Sequence, residues 1–174
     1  DRGISGGGAV VFKEASATPP GVEPMQIVAE HLNVTGADTP NAQIEIRGGG
    51  GENGLPQQIA ELTANGAKLR VPAIALQRGT SEAIVNAPGE VQLLVDRDMA
   101  GNPLARPEPV TIVWQESMQL HGRELTFLGN VQVQHESGWL RTRRLVVRTV
   151  APVNFDGGGQ NPQIEQIACW EGVL

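Results

Sequence analysis

The chain has 174 residues and a formal net charge of −6, with 40% hydrophobic residues but only 3% aromatic ones and no tyrosine. Of its 13 basic residues only Lys13 and Lys68 are lysines, which argues against the broad cationic face that a nucleic-acid surface needs. Cys169 is the single cysteine, so no internal disulfide forms, and no apolar run approaches the ~20 residues of a membrane-spanning helix.

A core made with so few rings has to be built from Val, Ile, Leu and Ala. The 22 glycines and 12 prolines cluster between the apolar runs rather than inside them, which is the punctuation of many short strands joined by turns. Residues 1–174 are enough for one domain, and length alone does not demand two. The chain opens at Asp1-Arg2-Gly3 without an initiator methionine or a signal peptide. It reads as an excised or processed segment of a longer protein.

Residues 1–8 are glycine-rich; 9–12 read as a first short strand, ended by Thr18-Pro19-Pro20-Gly21. Residues 25–35 form the next element, with Ile27, Ala29, Leu32 and Val34 as its apolar positions. After a turn at 36–41, Ile44 and Ile46 alternate with Gln43, Glu45 and Arg47. The glycine run at 48–54 has no Lys-Ser/Thr pair and no helix start behind it, so it reads as a flexible loop rather than a phosphate cradle. Residues 56–65 are ambiguous. Pro56, Ile59, Leu62 and Gly66 fit a helix; Ala60, Leu62 and Ala64 fit one face of a strand, which the β-rich surroundings favour. Pro72 interrupts 69–76 and implies an edge or a bulge. Ala87-Pro88-Gly89 precedes an alternating strand of Val91, Leu93 and Val95. Residues 96–109 read as a long polar loop with three prolines, and Val110, Ile112 and Trp114 then share one face.

The clearest stretch is 125–148. Leu125 and Phe127, then Val131 and Val133 after Gly129-Asn130, alternate with polar neighbours, so each run has one apolar and one wet face. Glu136-Ser137-Gly138 marks a hairpin. Leu140 opens the returning strand, which ends in Leu145 and Val147. The apolar parity changes between Leu140 and Leu145, so a bulge is expected near Arg143-Arg144. A second Pro/Gly loop follows at 151–162, glycine-rich from about 156, and 164–174 closes the chain.

A local phrase recurs: Ala87-Pro88-Gly89-Glu90-Val91, Phe127-Leu128-Gly129-Asn130-Val131 and Cys169-Trp170-Glu171-Gly172-Val173 each deliver a glycine shortly before a valine. Glycine permits a sharp corner or a close backbone approach where one apolar face gives way to the next. Gly129-Asn130-Val131-Gln132-Val133, then Leu140-Arg141-Thr142-Arg143-Arg144-Leu145-Val146-Val147, then Ile164-Glu165-Gln166-Ile167-Ala168-Cys169-Trp170-Glu171-Gly172-Val173 resemble the OstA-like domain family (the LptA/LptC type) of lipopolysaccharide transport. The resemblance is best over 118–174 and weaker over 25–93. Thr142 stands where the family usually has alanine, Cys169-Trp170 is bulkier than usual, and the 48–54 and 96–109 stretches depart from the pattern.

The resemblance implies an all-β, twisted antiparallel jellyroll whose two sheets open as a V. It also implies an apolar trough that shields acyl chains of lipopolysaccharide or a similar amphipathic lipid, edge-to-edge pairing with itself or related domains, and a periplasmic, envelope location serving outer-membrane assembly. Trough candidates are Leu125, Phe127, Val131, Val133, Leu140, Leu145 and Val147, although an ordinary closed core has the same composition. Arg141, Arg143 and Arg144 are headgroup candidates, because guanidinium forks suit phosphates and carboxylates. Their alternative, with Arg148, is a charged outer face paired with Glu116, Glu124 or Glu136.

His31, His121 and His135 fall on the polar phase of separate elements and read as surface histidines, so no metal and no other cofactor is expected. Cys169 reads as a small buried hydrophobe, and Asp96 and Asp98 as a solvated turn. No nucleophile, base and oxyanion donor assemble from motifs, so no enzymatic activity is expected. Two other classes stay open. One is a lectin-like carbohydrate-binding sandwich or structural interaction module, for which Trp114, Trp139 and Trp170 are the rings. The other is a cupin-type metal enzyme using the histidines.

Overall fold

The computed structural model describes residues 10–13, 25–49, 59–64, 66–97, 102–136, 138–153 and 163–170. The fold is all-β, with no helix among these residues. In chain order the strands are β1 (Val10–Lys13), β2 (Gln26–Ala29), β3 (His31–Thr35), β4 (Gln43–Arg47), β5 (Ala60–Ala64), β6 (Ala67–Val71) and β7 (Ala73–Gln77). Then come β8 (Glu82–Val85), β9 (Gly89–Arg97), β10 (Pro103–Trp114), β11 (Ser117–His121), β12 (Glu124–His135), β13 (Gly138–Thr149) and β14 (Ile164–Trp170). All belong to one 14-stranded antiparallel sheet. Of the disputed stretch 56–65, Ala60–Ala64 is a strand, with Ala60 and Leu62 buried, and 56–58 and 65 lie outside the described residues.

The sheet branches at β12. Along one edge of β12, its two halves pair with different strands: Gln132 faces Val113 of β10, and Leu128 faces Ser117 of β11. From β10 the sheet continues as β9, β6, β5, β2, β1; from β11 it continues as β8, β7, β4, β3. These are the two arms of a V. β13 and then β14 extend the other edge of β12.

Four strands of one arm, β2, β6, β9 and β10, are continuous in sequence with strands of the other, β3, β7, β8 and β11, across a short interruption, and β12 is interrupted within itself. The interruptions are Glu30, Pro72, Asn86 to Pro88, Gln115-Glu116 and Gly129-Asn130, and together they draw a crease across the sheet. Pro72 has no amide to give the ladder, and its carbonyl accepts from the Gly48 amide at 2.8 Å. At Gly129 (φ 84) and Asn130 (φ 43) the backbone enters the left-handed region, which glycine and asparagine tolerate best. The Gln115 amide donates to the Gly129 carbonyl at 2.7 Å, tying the two bends together.

The bulge therefore lies in β12 and not at Arg143-Arg144. Leu128 faces Arg144 and Val131 faces Thr142, so Gly129 and Asn130 stand opposite one residue of β13. The sequence signal, a parity change in β13, was real; the extra residue sits across the ladder, where the backbone can take positive φ.

Two of the three glycine phrases fall on this crease. A Cβ at Gly89 would run into the Trp114 ring and Val71, and one at Gly129 into Glu116. Gly172 lies outside the described residues. Over Gly89, Trp114 is fully buried and packs on Phe127, with centroids 5.2 Å apart and planes at 51°. Its indole N–H donates to the Ala87 carbonyl at 2.9 Å, so the one buried tryptophan has its polar atom satisfied.

Three further expectations are corrected. Residues 96–109 are not a long loop: β9 runs to Arg97 and β10 begins at Pro103, with Pro103 facing Arg97. The prolines are tolerated there because β10 meets β12 only from Thr111 onward, leaving one edge of its first half without a ladder to donate to. The single element at 25–35 is two strands, split at Glu30 as the chain crosses the crease. His135 is not a surface residue. Its side chain is 2% exposed, with Nε2 3.1 Å from the Glu108 carboxylate, which the extended β10 brings alongside. His31 and His121 are exposed as expected, each near its own glutamate, Glu30 and Glu82.

Candidate functional site

Between the arms the interior is solid at the crease and hollow further out. Near the crease Val71, Val85, Trp114, Val131 and Leu145 are all at most 1% exposed. Away from it the arms leave an apolar cleft of about 100 Å³. One arm contributes Leu62, Ala64, Ala67, Leu69, Val91 and Leu93; the other contributes Ile74, Ala83, Met118 and Leu120. Leu125, Phe127 and Val147 form the floor, and Val153 and Ile164 stand at the C-terminal side.

Among the described residues Thr149 is the one polar side chain on the lining. Its hydroxyl is engaged, 2.7 Å from the Ala151 carbonyl and 3.2 Å from that of Arg123. The site thus offers dispersion and dehydration, and next to nothing for a charged group. Ala64, Ala67, Leu93, Leu125 and Ile164 are half-buried and Leu94 is 40% exposed, so this end of the cleft reaches solvent. The Arg123 guanidinium and Glu165 carboxylate pair at 2.6 Å on the neighbouring surface, joining the turn before β12 to β14.

All seven trough candidates belong to the inner face. Phe127, Val131, Val133, Leu145 and Val147 are core residues, and Leu125 and Leu140 pack against them. They divide, however: Leu125, Phe127 and Val147 line the cleft, while Val131, Val133, Leu140 and Leu145 do not. The period-two pattern identified the inner phase correctly. It had no means of telling which inner residues face a packed neighbour and which face a void. Leu62, Ala64, Ala67, Leu69, Ala83, Met118 and Leu120 line the cleft as well, and none was a candidate, because a lining shared by two arms is assembled from strands far apart in sequence.

The headgroup candidates Arg141, Arg143 and Arg144 are exposed on the other side of the sheet, away from the cleft. The Arg144 guanidinium lies 5.1 Å from the centroid of the Trp170 ring, and Arg148 pairs with Glu124 across the ladder at 3.0 Å. This is the charged outer face that cross-strand pairing leads one to expect.

Cys169 is half-buried beside the core rather than enclosed, and burial raises the pKa of its thiol. Among the described residues no group of three or more His, Cys, Asp or Glu side chains could hold a metal ion. The side chains of Asp96 and Asp98 lie outside what the structure describes. No helix among the described residues is long and apolar enough to cross a membrane. Comparison with protein-family models, with curated proteins and with solved structures returned no match.

Proposed function

We propose that this domain is a non-catalytic lipid-binding module of the cell envelope, which takes an acyl chain of an amphipathic glycolipid, lipopolysaccharide or a similar lipid, between the arms of the V. One observation carries the reading: an open-ended cleft lined by residues of both arms, whose described lining is apolar except for the Thr149 hydroxyl. The resemblance over 118–174 to the OstA-like family supplies the lipid class and the periplasmic setting.

The size of the cleft says how the lipid is held. An apolar cavity of ~150 Å³ is enough for benzene, and pockets that enclose drug-sized ligands begin near ~300 Å³. A cleft of about 100 Å³ therefore admits the end of a chain unless the arms part. At ~0.8 kcal/mol per buried methylene, three or four methylenes contribute about 3 kcal/mol, which suits passing a lipid on better than storing it. Such hand-off needs a neighbour, and β14 has the geometry for one. Among the described residues it pairs only with β13, so its outer backbone edge is available for strand addition by another copy or a related domain.

Site-specific photo-crosslinking tests this. A photoreactive residue at Leu125 or Leu93, on the cleft, is expected to capture a radiolabelled lipopolysaccharide or long-chain fatty acid, whereas the same residue at the outward-facing Gln119 captures none. Equal capture at inner and outer positions, or none at either with lipid in excess, overturns the proposal.

A further inference from the structure

The outer face of β13 and β14 carries a second concavity, of about 110 Å³, lined by Val146, Arg148, Gln166, Ala168 and Trp170. Three successive cross-strand pairs build it: Arg144 with Trp170, Val146 with Ala168, and Arg148 with Gln166. Side chains on one face of a strand recur every second residue, so these pairs stand in consecutive rows. The result is a slot with an aromatic wall, an aliphatic floor and a polar wall. With ~3.4 Å per residue, the first and third rows lie roughly 14 Å apart at the backbone, which leaves room for one six-membered ring once the side chains are counted.

We propose that this slot binds a single uncharged pyranose ring. The indole of Trp170, 45% exposed, presents a flat apolar surface to the C–H face of a sugar. Its position is set from two sides: the Thr142 hydroxyl donates to the Trp170 carbonyl at 2.8 Å, and the Arg144 guanidinium stacks on the ring at 5.1 Å. Val146, only 5% exposed on an outward-facing phase, makes a dry floor. The polar wall combines the Arg148 guanidinium, held at 3.0 Å by the Glu124 carboxylate beyond the slot, with the Gln166 amide.

Sugar hydroxyls both donate and accept, so they match such a mixed wall. A carboxylate would have to share Arg148 with Glu124, and the charge of Arg144 is already placed over the indole. The chemistry therefore favours a neutral ring over a sugar acid. The slot is on the opposite side of the sheet from the apolar cleft and does not depend on any lipid binding there.

The test is a titration of the ¹⁵N-labelled chain with methyl β-D-glucopyranoside, methyl β-D-galactopyranoside and sodium glucuronate. At least one neutral glycoside is expected to give saturable shifts, with millimolar affinity, confined to the amides around Val146, Ala168 and Trp170. Trp170→Ala is expected to weaken binding about tenfold or more, and loss of one side-chain hydrogen bond in Gln166→Ala by roughly threefold to tenfold. Gln166 is exposed, so that variant keeps the fold even if Trp170→Ala frays the edge strand. No saturable shift with either glycoside, unchanged affinity in Gln166→Ala, or tighter binding of glucuronate than of the glycosides overturns the assignment.

Discussion

The crease and the mouth of the V are built from the same kinds of residue and do opposite things. At the crease, Trp114, Val71, Val85 and Val131 are at most 1% exposed, and Trp114 and Val71 leave Gly89 no room for a methyl group. Further out, Ala64, Ala67 and Ala83 stand among the residues that line an apolar cleft. What separates the two is how completely side chains fill the space between the arms. Packing to near-crystalline density needs both partners within contact distance, and a void forfeits that attraction on every atom lining it. The crease is therefore the stability element, and the mouth spends stability on access.

The largest expected effect comes from the sealed end. Trp114→Ala removes a fully buried ring, its contact with Phe127 and the hydrogen bond to Ala87, and should cost ~3–5 kcal/mol. Leu125→Ala, on the half-buried floor of the cleft, should cost only ~1–2 kcal/mol. Urea unfolding of both variants checks the ranking, and equal losses would mean that the mouth is as tightly packed as the crease.

Next come the glycines. Gly89→Ala forces a methyl against a buried indole and Val71, an overpacking that should cost ~1–3 kcal/mol. At Gly122 φ is +59 but nothing lies within 4 Å of an added Cβ. Gly122→Ala should therefore cost only the left-handed backbone penalty of about 1 kcal/mol. Thermal denaturation separates the two, because only the first depends on the crease being full.

Filling the mouth should act in the reverse direction. Ala67→Leu adds apolar volume to the cleft lining and is expected to leave stability unchanged or raise it by up to ~1 kcal/mol. It should also lower the uptake of a fluorescent fatty acid. A loss of stability with unchanged uptake would show that Ala67 faces a packed neighbour.

The smallest effect is at Cys169. Burial raises its thiol above the ordinary value of 9.0, so the folded chain holds that proton more tightly than the unfolded one. The stabilisation this represents is whole below pH 9.0 and is lost as pH climbs through the raised value. Iodoacetamide should alkylate the native chain more slowly than a cysteine peptide at the same pH, the gap closing in denaturant. Equal rates would show that the thiol is open to water.

Much of this molecule was legible in one dimension. Period-two alternation is a property of the strand itself, so Leu125, Phe127, Val131 and Val133 declared their inward phase without reference to any partner. The glycine-before-valine phrase likewise marked Gly89 and Gly129 as special, because a missing Cβ or a positive φ is a local demand. The parity change in β13 announced a bulge. What no local pattern contains is the distance between elements that are far apart in sequence. Only the pairing of β10 with β9 turned a proline-rich polar stretch into strand, and only the extended β10 put Glu108 over His135 and buried it. The same holds for the cleft. Alternation assigns a residue to the inside, but whether that inside is filled depends on the opposite arm, whose strands are brought across from it only by the pairing of elements distant in sequence.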